Sequence, residues 1–158
     1  MGEPFKSGEF RKLLKKHRIT SVFFELEPED KLHFRKDCRH LVNDRFCTTV
    51  SSALWTTAAN ATSNEHYRLA KSLLKAAVTR AKCNCNYEDL AWAHAHLAQL
   101  HLKMNPGKHQ YILKARHHCR RILQTEHLNG WALSKLGQIN QQLEDIDEDK
   151  YSSARESE

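Results

Sequence analysis

The chain has 158 residues, 40% of them apolar, with a formal net charge of +6 and five cysteines. That length suits one domain able to bury a real core, and no apolar run approaches the ~20 residues that a bilayer-spanning helix needs. Gly (5) and Pro (3) are scarce and long β-branched runs are missing, which argues against a sandwich or barrel and for helices.

Residues 1–18 are basic, with Lys6, Arg11, Lys12, Lys15, Lys16 and Arg18 around Phe5, Phe10, Leu13 and Leu14. Phe10, Leu13 and Leu14 form one apolar stripe of a short helix. The segment fits a nuclear-import patch, a membrane-surface or nucleic-acid arm, a cleaved presequence, or an amphipathic helix docked on the next element. The first 20 residues hold no apolar h-region, so a secretory signal is not expected. An odd number of cysteines then points to a reducing compartment, cytoplasmic or nuclear, with thiols serving as small hydrophobes.

Ile19 to Phe24 is a short β-prone run with no second strand to pair with, so it is expected as an extended linker. Pro28-Glu29-Asp30 starts a helix, whose apolar stripe is expected at Leu32, Cys38, Leu41, Val42 and Phe46. Residues 47–62 are rich in Ser, Thr and Ala around Leu54 and Trp55 and are expected as a closely packed helix. Ser63-Asn64 offers a cap for the next helix, with Leu69, Ala70, Leu73, Leu74, Ala77 and Val78 on its apolar face. After the Cys83–Asn86 turn a helix runs from about Tyr87 to Met104, and Asn105-Pro106-Gly107 breaks it. Further helices are expected over about His109–Gln124 and Gly130–Leu143. The last sixteen residues carry seven acids against Lys150 and Arg155, leaving a −5 tail on a +11 body. Lacking apolar content, the tail is expected to be disordered.

Ala115, Cys119 and Ile122, followed by Leu136-Gly137, resemble the second helix of a tetratricopeptide repeat and the Leu-Gly pair of the next first helix. Leu97-Ala98 and Ala70, Leu74 and Ala77 match more loosely, so the resemblance covers residues 52–143. Leu97 and Leu136 are 39 residues apart where the family period is 34. The resemblance implies an all-α fold of antiparallel helical hairpins stacked as a short right-handed superhelix. The chain then divides into a basic arm (1–25), a helical domain (26–146) and an acidic tail (147–158). It also implies a binding scaffold, not an enzyme, without cofactor. The family's groove would hold a partner protein or peptide with Trp92, Ala95, Gln99 and Lys103 on one first helix and Trp131, Ser134, Gln138 and Gln142 on the next. An array of two to three repeats with no clear polar cap leaves room for packing against itself or in a larger assembly as well.

The alternative is RNA binding by a basic face of Lys108, Lys114, Arg116, His117, Arg120 and Arg121, which other members of the family permit. A metal- or thiol-dependent enzyme is the remote reading. Its candidate ligand set is Cys83, Cys85, His94 and His96, but His94 and His96 point about 200° apart on a helix, so no metal site is expected. No nucleophile elbow, phosphate loop or metalloprotease helix is present.

Overall fold

Gly8 enters the first helix from the left-handed region, at φ 78°, a conformation that costs any residue with a Cβ. Helix α1 (Glu9–Lys16) follows and buries Phe10, Leu13 and Leu14. It leads into α2 (Thr20–Glu25) and α3 (Pro28–Asp37), then a 3₁₀ turn at Arg39–Val42. The computed structural model describes residues 5–156, with side chains through Tyr151. Among the described residues the chain is all-helical, adding α4 (Val50–Ser63), α5 (Tyr67–Cys83), α6 (Tyr87–Met104), α7 (His109–Thr125) and α8 (Gly130–Glu156). Among the described residues no helix is long and apolar enough to cross a membrane.

The chain divides into two compact units, one ending at His96 and the other starting at Leu97. In the first, Phe10, Phe23 and Phe34 meet at ring-centroid distances of 5.0 to 6.3 Å. Edge-on and tilted contacts of this kind add to the burial of the rings. Arg35 lies 4.5 Å over the Phe10 ring and covers its outer side. Helices α4 and α5 pack against each other along their length. Ala53, Ala58 and Ala61 of α4 and Ala70 and Ala77 of α5 are fully buried, and so small that the backbones can approach closely. The Ser51 hydroxyl takes advantage of this and donates to the Ala77 carbonyl at 2.8 Å. Thr49 caps α4, its side chain accepting from the Ser52 amide while the Ser52 hydroxyl accepts from the Thr49 amide.

In the second unit, α7 and α8 pack together. Their core holds Ala98, Ile112, Ala115, Cys119, Ile139 and Leu143, with Ile146 packed at its edge. The positions that carry the repeat rhythm, Ala115, Cys119 and Ile122, are all buried.

Several expectations are corrected. The run from Ile19 to Phe24 forms the cap and body of α2 and is not extended, because Ile19 and Phe23, one helical turn apart, are both buried and Phe23 joins the aromatic core. Tertiary packing outweighs the β propensity of the run. The basic arm is not separate from the first helical unit, since Phe10, Leu13 and Leu14 are core residues. The division between units falls inside the span 26–146 that was expected as one domain. Leu32 and Phe46 are exposed, at 65% and 90%, while Phe34 is fully buried. The inner face of α3 is instead Asp30, Phe34 and Asp37. Asp30 is tied down by Arg68, whose Nε donates to its carboxylate at 2.9 Å. The α5 cap falls at His66, after Glu65 at φ 63°.

Residues 147–156 are helical instead of disordered. Once Ile139, Leu143 and Ile146 dock one face of α8, each further residue adds a backbone hydrogen bond at little cost. Residues 1–4 of the arm and 157–158 of the tail lie outside the described residues. Gly137, finally, is not a point of backbone contact. A Cβ there would meet no described atom within 4 Å outside its own helix, and the residue is exposed. Gly137→Ala is therefore expected to stabilise the protein by about 0.5–1 kcal/mol through helix propensity alone. Urea unfolding measures it, and a loss of stability would show that something packs on that face.

Candidate functional site

The strongest concentration of unusual groups in the first unit starts at the N-terminus of α6. Asn86 caps that helix, its side-chain oxygen accepting from the Asp89 amide at 3.0 Å. Asp89 is 8% exposed, and its carboxylate gathers three donors. Thr49 Oγ1 donates at 2.5 Å, Asn86 Nδ2 at 2.9 Å and the Trp55 indole Nε1 at 3.5 Å. The carboxylate thus joins the start of α4 to the start of α6 and holds the Trp55 ring by its polar edge.

Held this way, Trp55 stacks on Trp92 at 5.2 Å between centroids and 10° between planes. His96 stacks on Trp55 at 5.2 Å and 21°, and lies 6.3 Å from Trp92. Burial pushes the His96 imidazole below its ordinary value of 6.5, so the ring is neutral at neutral pH. The result is an uncharged platform of three nearly parallel rings. Trp55 and His96 are half-buried, and Trp92 is 48% exposed. Such a platform can take an apolar, aromatic or cationic side chain against its open face.

The groove residues expected from the sequence fall into both units. Trp92 and Ala95 belong to the first, Ala95 half-buried. Gln99, Lys103, Trp131, Ser134, Gln138 and Gln142 belong to the second and are exposed. Trp131, Ser134, Gln138 and Gln142 share one exposed stripe of α8, to one side of the buried Ala132, Ile139 and Leu143. Trp55 was missed as a site residue. Its signal was a lone tryptophan in a Ser-, Thr- and Ala-rich helix, 37 positions before Trp92.

The basic-face residues lie on α7 and at its cap. Lys108, Lys114, His117 and Arg120 are exposed, and Arg116 and Arg121 are half-buried. Lys114 sits 4.9 Å over the Tyr111 ring, and Arg121 donates to the Gln124 side chain at 2.9 Å. These are the ordinary contacts of a solvated helix face.

Cys83, Cys85, His94 and His96 do not come together as a ligand set. Both cysteines are exposed while His94 is buried. Among the described residues, the grouping that could share a metal ion is His40, Asp44 and Cys47, which spacing alone did not single out. Burial pushes the Cys47 thiol up to about 11 and that of Cys38 to about 12. Neither is a thiolate at neutral pH, which gives no support to thiol catalysis. Comparison with protein-family models, curated proteins and solved structures returns no match.

The neutral His96 has a consequence for stability. Its folded value is depressed, so the unfolded chain binds a proton at a higher pH than the folded chain does. The stabilisation is complete above about pH 6.5 and is lost as pH falls below it toward the folded value. In His96→Phe, which keeps a flat ring, the decline in unfolding free energy between pH 7.5 and 5.5 should be shallower than in the wild type. Equal slopes in parallel urea titrations would contradict the assignment.

Proposed function

We propose that the protein is a non-catalytic interaction module, built of helical hairpins of the tetratricopeptide kind, that holds a segment of a partner protein. The α4–α5 hairpin with its buried alanines supports this reading, as do α7 and α8, which share a core with Ala115 and Cys119 in it. Stacking of the hairpins into a short right-handed superhelix is part of the same proposal. In this register α4 and α6 are successive first helices, whose side chains line the binding face.

One observation carries the functional part. Trp92 offers 48% of its surface to solvent although it is clamped flat against Trp55. Leaving a large apolar ring ordered and exposed forfeits stabilisation that burial would supply. A partner's apolar or aromatic side chain recovers it, and tryptophan is a favoured anchor in such contacts. Asp89 keeps the platform oriented before the partner arrives, which lowers the ordering cost of binding.

The test is affinity capture with the full chain, with and without nuclease, comparing the wild type with Trp92→Ala and with Arg120→Ala/Arg121→Ala. Proteins retained by the wild type should survive nuclease treatment. They should bind Trp92→Ala at least about 10-fold more weakly, the size expected of a hot-spot residue. Capture that vanishes with nuclease and depends on Arg120 and Arg121 would replace this reading with RNA binding by the basic face.

A further inference from the structure

The loop between the 3₁₀ turn and α4 holds chemistry that the binding platform does not use. Asp44 folds it. Its Oδ1 accepts from the amides of Phe46 at 2.5 Å and Cys47 at 3.0 Å, a side-chain turn that shapes residues 44–47. Its other oxygen faces Cys47 Sγ at 3.1 Å. His40 approaches from the 3₁₀ turn, its Nε2 3.0 Å from Thr56 Oγ1, and the same hydroxyl lies 3.3 Å from Cys47 Sγ. One ligand atom each from His40, Asp44 and Cys47 lies within 4.8 Å of the other two.

We propose that His40, Asp44 and Cys47 bind a zinc ion, with the fourth coordination position facing the adjoining cavity. Tetrahedral zinc with ligands at about 2.0–2.3 Å brings neighbouring ligand atoms to about 3.3–3.8 Å, so shifts of about 1 Å or less complete the set. One nitrogen, one oxygen and one sulfur suit zinc and not calcium or magnesium, which take oxygen alone. A carboxylate and a thiolate together neutralise the dication.

The ligands are held from behind. His40 Nδ1 lies 3.1 Å from the Asp37 carbonyl and 3.0 Å from the Asn60 side-chain amide. It therefore has a partner in either tautomer. With the proton on Nε2, Nδ1 accepts from Asn60 and Nε2 donates to Thr56. With the proton on Nδ1, that nitrogen donates to the Asp37 carbonyl, the Asn60 amide, itself a donor, turns from it, and the unprotonated Nε2 can exchange the Thr56 hydroxyl for the metal. A backbone carbonyl behind a ligating histidine is the usual outer support of a zinc site. On zinc binding the ring proton moves from Nε2 to Nδ1. The Cys47 thiol proton passes to solvent, and its sulfur and the Asp44 oxygen turn from each other to the metal.

The cavity supplies access. It has a volume of about 730 Å³, and Asp44 and Cys47 line it together with Lys16, Arg18 and Arg45. His17 lines it too and is only 7% exposed, with its Nε2 lacking a hydrogen-bond partner among the described residues. A buried imidazole nitrogen without a partner is costly unless something fills the space before it. Water or an anion held in the cavity is such a group, and the three basic side chains favour the anion.

The experiment uses the reduced full chain and cobalt(II) as a spectroscopic stand-in, displaced by zinc. One equivalent should bind and give a thiolate-to-cobalt charge-transfer band. Cys47→Ser should lose that band, and Asp44→Asn and His40→Gln should each weaken zinc by on the order of 10-fold or more. Cys83→Ser/Cys85→Ser should keep full binding. A readout on the wild type does not depend on the variants folding: zinc should protect Cys47 from iodoacetamide while Cys83 and Cys85 remain reactive, as read by peptide mass spectrometry. A band that survives in Cys47→Ser, a cobalt spectrum without thiolate character, or zinc-independent alkylation of Cys47 would overturn the site.

Discussion

Much of the first unit depends on one buried residue, Asp37. It ends α3 at 2% exposure and both halves of it are engaged. The carboxylate accepts from Asn64 Nδ2 at 2.7 Å and from His66 Nδ1 at 2.8 Å, at the corner where α4 gives way to α5. The backbone carbonyl accepts from Asn60 Nδ2 at 3.1 Å and faces His40 Nδ1 at the same distance. The stacking of His33 on His66, at 3.7 Å between centroids, covers the pair from outside. A carboxylate this deep is tolerable only because each oxygen has a donor. Removing those donors would leave an uncompensated charge, so the arrangement of α3, α4 and α5 is specified by it.

Helix α4 carries that specification in two directions. Successive residues on a helix point about 100° apart. Trp55 therefore turns toward Asp89 and Trp92, while its neighbour Thr56 turns toward His40 and Cys47. Thr49, at the cap of the same helix, bonds Asp89 as well. Three buried acids, Asp30, Asp37 and Asp89, thus perform the joining that apolar contacts perform elsewhere in the unit.

Those acids also explain which parts of the fold were legible in the sequence. Helices α5, α6 and α7 were readable because long runs keep a 3.6-residue apolar period between clear breaks, such as Asn105-Pro106-Gly107. The inner face of α3 was not, because Asp30 and Asp37 resemble a solvated face until Arg68, Asn64 and His66 are brought to them from 27 to 38 residues away. Of the stacked-ring platform, Trp92 was visible, singled out as a residue of the expected groove. Trp55 and His96 were not, since only the folded chain stacks them on it. His40, Asp44 and Cys47 are spaced four and three apart, which mimics one face of a helix. The 3₁₀ turn and the Asp44 loop convert that spacing into convergence.

The Asp37 clamp can be tested directly by a double-mutant cycle between Asp37→Asn and His66→Gln, with unfolding free energies measured by urea titration of the full chain. If the buried carboxylate and His66 hold the α3 end to the α4–α5 corner, the two substitutions should be non-additive by more than about 1 kcal/mol. Effects that simply add, to within about 0.5 kcal/mol, would contradict the clamp and the packing derived from it.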